Sequence, residues 1–474
     1  MMILKKIPIA VFVIFVSFIF SIIISSHNLK NYDKNVEDDG VIYHQMIKQD
    51  ALRYMGHGAY IKEDLKKGVN YFKTGNENYT KYLPPRIAAL YYYVFDIDLF
   101  NNFDEKKINI GVHFPYLIIQ CLFYFFSVFV LYNSISKILD KKICLLIVSF
   151  LSFEPTIFQY HTSFYSESIF FSLQILLIAL IIKEKHSILN FFVVGFLLAI
   201  LSMQKQMAIF YIIPIVIYFA IFLKQSRLIK ILFILIGYTL VQSFLGYHNF
   251  QRSGEFYIMT ADTKIDLHRY LVVRVVPEKY NVSPQEWESL EGKIMERWMN
   301  NNLVSYDEKL LSSIKNPNYM QYRETIYNEN DKTRFDNYLR SRTFEYFQKY
   351  PLDFFFTIMK GSIHTTLLNP FHIYSDNHFA TGERYYLSDT RSKLIPYRVI
   401  YSIIIYTICL FGLFTLIKEK KVPLLFYLII SILYFFGLIS WHGDTRYFVP
   451  VMIYLSFFFG IGLNKIISDK KKIN

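Results

Sequence analysis

Apolar blocks long enough to cross a lipid bilayer dominate this chain. A helix needs about 20 mostly apolar residues to span a hydrocarbon core of roughly 30 Å. Blocks near that length occupy 7–24, 110–133, 143–158, 165–182, 188–203, 207–223, 228–246, 397–417, 422–440 and 447–464. Within lipid only helices and closed barrels satisfy their backbone groups. The chain therefore reads as an α-helical polytopic membrane protein with about ten transmembrane helices and two large extracytoplasmic loops. The first block follows Lys5 and Lys6, is longer than the apolar core of a signal peptide and precedes no A-x-A site, so it reads as an uncleaved anchor. Blocks 143–158 and 188–203 are short, which suits tilted helices or helices ending in a water-filled cavity.

Charge sets the orientation. The formal net charge is +13, which in a soluble protein would suggest nucleic acid. Here much of the excess lies in short gaps between blocks, as orientation signals do. With a cytosolic N-terminus, the inner gaps hold Lys137, Lys141 and Lys142; Lys183 and Lys185; Lys224, Arg227 and Lys230; Lys418, Lys420 and Lys421; and Lys465 with the tail lysines 470–472. The outer gaps 159–164, 204–206 and 441–446 hold only Lys205 and Arg446. Both termini are then cytoplasmic. There is no Gly-rich phosphate loop, zinc spacing or basic soluble stripe. Cys121, Cys144 and Cys409 lie inside apolar blocks, where packing is their expected role.

Three parts follow. Residues 1–246 form an N-terminal transmembrane module that includes a first extracytoplasmic loop, 25–109, and a catalytic mouth. Residues 247–396 form a large extracytoplasmic segment with a helical stretch around Glu286–Asn300. Residues 397–474 supply the last helices and a basic cytosolic tail. The stretch Pro351–Leu368 is apolar but carries Lys360 and His364, and reads as a helix lying in the outer interface.

Polar groups near the outer face are the informative ones, since charge in a membrane is costly and usually faces a cavity or partner. Asp38 and Asp39 follow the first block, with Tyr43 beyond them; they suit either a solvated helix cap or a general base. Arg86 follows Pro84-Pro85 and suits either an interfacial anchor or a fork onto phosphate. Glu154-Pro155, His161 and Ser166-Glu167 cluster between two short blocks. Glu167 opens an apolar helix, where its carboxylate complements the positive dipole end or serves a site. Lys205 sits in the polar break Gln204-Lys205-Gln206. Arg446 either pairs with Asp444 or holds an anionic ligand.

Taken in order, these pieces resemble the GT-C superfamily of integral-membrane glycosyltransferases, and most nearly the bacterial relatives of the protein O-mannosyltransferases. The resemblance rests on Asp39-Gly40-Val41-Ile42-Tyr43, Pro84-Pro85-Arg86, Pro155 with Ser166-Glu167, Lys205, the stretch from His248 to Phe256, Tyr350-Pro351-Leu352 and Arg446-Tyr447-Phe448-Val449-Pro450. Two positions depart from the pattern: Gly40 stands where a second acid is usual, and Lys205-Gln206 where Arg-Pro is usual. The resemblance implies a polyprenyl-phosphate sugar donor and a glycan, lipid or protein acceptor outside a bacterial inner membrane. Asp39, or Asp38, would be the catalytic base and Glu167 an orienting carboxylate. Arg86, Lys205 and Arg446 would bind the lipid phosphate, with Tyr43 and His161 near the substrate. No motif demands a metal or other cofactor, although some members of the superfamily use a divalent cation.

Three other classes compete; one, a structural membrane protein without catalysis, would need none of the acids and cations gathered in the outer gaps. An O-antigen polymerase or ligase would lean on outer-loop arginines rather than an acidic pair after the first span. A multi-pass transporter or flippase would show charged or broken spans at the midplane and two similar halves. Few mid-span charges and no evident halves occur here.

Overall fold

A computed structural model describes residues 8–39, 49–74, 82–98, 103–104, 107–108, 110–161, 166–183, 187–253, 256–258, 272–303, 306–313, 322–323, 325–367, 389–439 and 448–473. Helices stand at all ten apolar blocks. They are α1 (Ile9–Asp39), then, beyond the first-loop helices α2 (Gln49–Lys66) and α3 (Leu83–Val94), the run α4 (Phe114–Ile135), α5 (Lys141–Phe153), α6 (Pro155–His161), α7 (Ser166–Ile181), α8 (Ile188–Gln204), α9 (Ile212–Phe222) and α10 (Arg227–Ser253). After the outer segment, α16 (Asp389–Lys418), α17 (Val422–Ile439) and α18 (Val449–Ile473) complete the bundle. Among the described residues, five stretches are long and apolar enough to cross a membrane: Ile9–Ser26, Phe114–Ile135, Arg227–Gln251, Val399–Lys418 and Val449–Lys470. Four shorter apolar helices accompany them, at Ser166–Ile181, Ile188–Gln204, Gln206–Phe222 and Val422–Gly437.

The block at 143–158 is not one helix. It breaks at Glu154, whose backbone is extended (φ −61°, ψ 121°). Pro155 then opens α6, as suits a residue with no N–H to donate. The Glu154 carboxylate caps the new helix, accepting from the Ile157 N–H at 2.8 Å and the Thr156 hydroxyl at 2.6 Å. It also accepts from the Tyr401 hydroxyl of α16 at 3.1 Å. The Glu154-Pro155 pair is thus a buried helix junction.

Close packing of small residues joins neighbouring helices, since lipid offers no hydrophobic drive between them. At Gly195 of α8, an added Cβ would lie 1.9 Å from the Ile234 carbonyl oxygen of α10. At Gly237 of α10, one would lie 2.3 Å from the Phe192 carbonyl oxygen of α8. Polar side chains inside the bundle find each other: the Tyr211 hydroxyl lies 2.7 Å from Ser431 and 2.6 Å from Tyr454. Cys121, Cys144 and Cys409 are buried.

The first loop is largely helical where described. The backbone of α1 continues as helix through Asp39. Helices α2 and α3 pair, and the buried Lys62 ties them by donating to the Ile97 carbonyl at 2.5 Å. Burial pulls the Lys62 pKa down, against the opposing pull of Asp96. A short antiparallel pair, β1 (Phe103–Asp104) and β2 (Lys107–Ile108), leads to α4.

The outer segment carries α11 (Val273–Lys279), α12 (Pro284–Asn302), α13 (Glu308–Ser313), α14 (Glu329–Lys349) and α15 (Pro351–Leu367). The expected helix near Glu286–Asn300 is α12, opened by a capping box in which Ser283 and Glu286 satisfy each other's backbone N–H groups. Two cores hold the segment. One packs Met295 and Met299 against Phe335 and Leu339; the other packs Val275 and Trp287 against Tyr346 and Phe354. Between α12 and α14, Arg342 meets Glu291 at 3.2 Å, and the Tyr346 hydroxyl donates to the same carboxylate at 3.1 Å.

Candidate functional site

Several helix ends meet at one end of the bundle: the starts of α4 and α7, and the ends of α8 and α10. Irregular backbone at such ends is tolerated where it is buried in protein or lines a cavity. Lys205 sits in one such break, extended (φ −145°, ψ 120°) between α8 and a 3-10 turn at Gln206–Tyr211. Glu167 lies in the first turn of α7. The Lys205 ammonium meets the Glu167 carboxylate at 2.6 Å, and both side chains are about fully buried, 2% and 1% exposed. The Ser166 hydroxyl donates to Glu167 at 3.2 Å, and the Gln204 amide donates to the Ser166 carbonyl at 2.8 Å. The flanking residues thus brace the pair. Lys205 also lies over the Phe170 ring, 5.8 Å from its centroid.

Arg86 forms a second cluster. Pro84 and Pro85 open α3, which places Arg86 in its first turn. The guanidinium donates to the Tyr82 carbonyl at 2.8 Å and lies 3.7 Å from the Tyr82 ring centroid. Its Nη2 is 3.0 Å from His248 Nε2 on α10. A guanidinium only donates, so the imidazole nitrogen is the acceptor in this contact. Tyr71 and Phe72 complete an aromatic wall, with ring centroids 5.9 and 6.1 Å from that of His248.

A small cleft, partly open to solvent, lies between the two clusters. Pro84, two residues before Arg86, and Ser166, next to Glu167, both line it. Tyr54, Tyr91, Tyr92 and Tyr116 form much of the remaining wall with His113, whose Nε2 is 2.9 Å from the Tyr92 hydroxyl. Among the described residues that line the cleft there is no carboxylate and no ammonium or guanidinium. Its lining of tyrosines, His113 and Ser166 suits an uncharged, hydroxyl-bearing or apolar group.

The other sequence candidates are distributed differently. His161 ends α6 but is fully buried against the Tyr124 ring, with Nδ1 3.1 Å from the Ser168 hydroxyl. It does not line the cleft. Asp38 and Asp39 close the backbone of α1, while their side chains, together with Tyr43 and Arg446, lie outside the described residues. Among the described residues no group of three His, Cys, Asp or Glu is arranged to hold a metal ion. Sequence reasoning did not single out His248 as a partner of Arg86, nor the tyrosine wall. A polar residue in the last turns of an apolar helix and the run Tyr91-Tyr92-Tyr93 were the available signals.

A family model described as dolichyl-phosphate-mannose-protein mannosyltransferase matches residues 107–245. The matched stretch runs from β2 almost to the end of α10 and includes both Glu167 and Lys205. No curated protein and no solved structure matches the chain. With the bundle of apolar helices, the family match supports a multi-pass membrane glycosyltransferase of the GT-C type that uses a lipid-linked sugar donor.

Proposed function

We propose that the protein transfers a sugar from a polyprenyl-phosphate donor to an acceptor hydroxyl at the extracytoplasmic face of a bacterial inner membrane, with inversion. The acceptor oxygen attacks the anomeric carbon as the bond to the phosphate oxygen breaks. The acceptor proton passes to Asp39, or Asp38, and polyprenyl phosphate leaves. Lys205 and Arg86, with Arg446, meet the charge that gathers on the phosphate. Well-placed donors of this kind each contribute on the order of 3–4 kcal/mol. An ammonium has three donors, so Lys205 can hold Glu167 and a phosphate oxygen together. Glu167 thereby aims Lys205 and orients the sugar, and the tyrosine-lined cleft opens toward it.

The observation that carries this reading is the family match across the stretch that holds the buried Glu167–Lys205 pair. Its test is a transfer assay on purified protein in lipid nanodiscs, with labelled polyprenyl-phosphate sugars and envelope acceptors. Either Asp39→Asn or Asp38→Asn should lower turnover by about 10²-fold or more, the usual weight of a general base, while donor binding persists. Wild-type turnover in both variants would remove the aspartates from the mechanism.

A further inference from the structure

The outer segment ends in an elbow where α14 meets α15 at Tyr350, and this elbow carries a bare apolar face. On α15, Leu352, Phe355, Phe356 and Met359 are 69%, 55%, 65% and 44% exposed. Their spacing (i, i+3, i+4, i+7) places them on one side of the helix. Phe354 and Ile358 turn the other way, into the core with Val275, Trp287 and Tyr346. The face continues around the bend. Phe344 and Phe347 of α14 are 61% and 45% exposed, and the Phe347 ring lies 5.4 Å from Phe354. Six large apolar side chains open to water would be an aggregation hazard in a soluble domain.

The far end of α15 shows what covers them. The Tyr406 hydroxyl of α16 donates to the Thr366 carbonyl of α15 at 2.6 Å. Tyr406 lies seven residues inside the Val399–Lys418 stretch, whose 20 residues rise about 30 Å and so match the hydrocarbon core. Thr366 is therefore tied about 10 Å below the boundary of that core. Met359 is seven residues from Thr366, again about 10 Å. Were α15 upright, Met359 would reach the hydrocarbon boundary, and Phe355 and Phe356 the headgroup layer, which adds roughly 5–8 Å on each side. Any tilt carries them deeper. In the upright limit Phe355 and Phe356 sit in the hydrated headgroup layer and Leu352 above it; with tilt, Phe355, Phe356 and Met359 enter the hydrocarbon.

From this geometry we infer that the α14–α15 elbow is a lipid-seated wedge, with Phe355, Phe356 and Met359 buried among the lipids of the leaflet at the cleft end of the bundle. The sequence pattern implies only a helix resting at the interface; the Tyr406–Thr366 bond sets its depth. Lys349 and Lys360 flank the apolar face, where long cationic side chains reach headgroups from an apolar surface. The wedge fixes the height of the outer segment over the cleft. It stands independently of the proposed reaction.

The test is depth-dependent quenching in nanodiscs. Phe355→Cys, Phe356→Cys and Met359→Cys are each labelled with an environment-sensitive fluorophore, with Tyr327→Cys on the outer segment as the water-exposed reference (Tyr327 is 65% exposed). Cys121, Cys144 and Cys409 are buried and remain unlabelled in the folded protein. The three wedge labels should emit at shorter wavelength than the reference. Spin-labelled lipids should quench them several-fold more than aqueous iodide does, and the reference should show the reverse. Wedge labels quenched by iodide like the reference would overturn the inference. If a labelled variant fails to fold, Phe356→Trp with brominated lipids gives the same reading: unchanged emission on bromination also overturns it.

Discussion

The Glu167 carboxylate and the Lys205 ammonium meet at 2.6 Å across the ends of two helices, both out of reach of water. Removing one member of a buried ion pair strands the other, at a cost of about 3–5 kcal/mol, whereas replacing both is often near neutral. Lys205→Met and Glu167→Gln should each lower the thermal unfolding midpoint clearly. The double variant should recover most of that loss and still transfer no sugar. A double variant with wild-type turnover would make the pair purely structural.

Arg86 is held by geometry that a lysine cannot reproduce. It donates to the Tyr82 carbonyl and to His248 while stacked on the Tyr82 ring. Arg86→Lys keeps the charge but loses the planar fork. Donor KM should rise about tenfold or more, equivalent to about 1.4 kcal/mol. His248→Ala should shift KM in the same direction, because the guanidinium loses its buried acceptor. Steady-state kinetics at varied donor concentration check both, and an unchanged KM in both variants would count against a phosphate role for Arg86.

Gly195 and Gly237 set the approach of α8 to α10 and hence the position of Lys205 at the end of α8. A Cβ at Gly195 meets main chain, which cannot yield as a flexible side-chain tip would. Gly195→Val should destabilise the protein by at least the 1–3 kcal/mol typical of overpacking, roughly. Unfolding monitored by scanning calorimetry in detergent reads this, with Gly437→Val, where an added Cβ meets nothing within 4 Å, as the control.

The capping box of α12 carries a pH signature. Hydrogen bonds from the Ser283 backbone and hydroxyl hold the Glu286 pKa below its usual range. A depressed carboxylate stabilises the fold above its unfolded pKa, and that contribution fades as pH falls through the folded value. Wild type should therefore unfold at a higher temperature than Glu286→Gln at pH 7. The gap should shrink as pH falls below the ordinary glutamate pKa of about 4.3. A gap that widens on acidification would contradict the cap.

Long apolar runs were legible because helix length and hydropathy are local properties; each run carries helix, although the run at 143–158 splits in two at Glu154. Glu167 and Lys205 were legible as charges at the edges of such runs. Their pairing was not, since it joins residues 38 positions apart through the packing of α7 on α8. The Arg86–His248 contact spans 162 positions, and nothing in the periodicity of α10 marks one histidine as a partner. Glu154 drew notice as part of a polar cluster between two short blocks, and it caps α6 from a buried position. His161 likewise lies in the interior, because α6 turns its last residue back against Tyr124.

The proposed reaction breaks the sugar–phosphate bond of a lipid-linked donor. The most direct measurement follows both halves of that donor at once. Wild-type protein in nanodiscs receives a polyprenyl-phosphate sugar labelled on the sugar and separately on the lipid, with crude envelope acceptors. Labelled polyprenyl phosphate should be released in step with labelled acceptor, one for one, and both should be lost in Lys205→Met. Donor that stays whole while folded protein is present, or that crosses the membrane with both labels still joined, would contradict the proposed reaction.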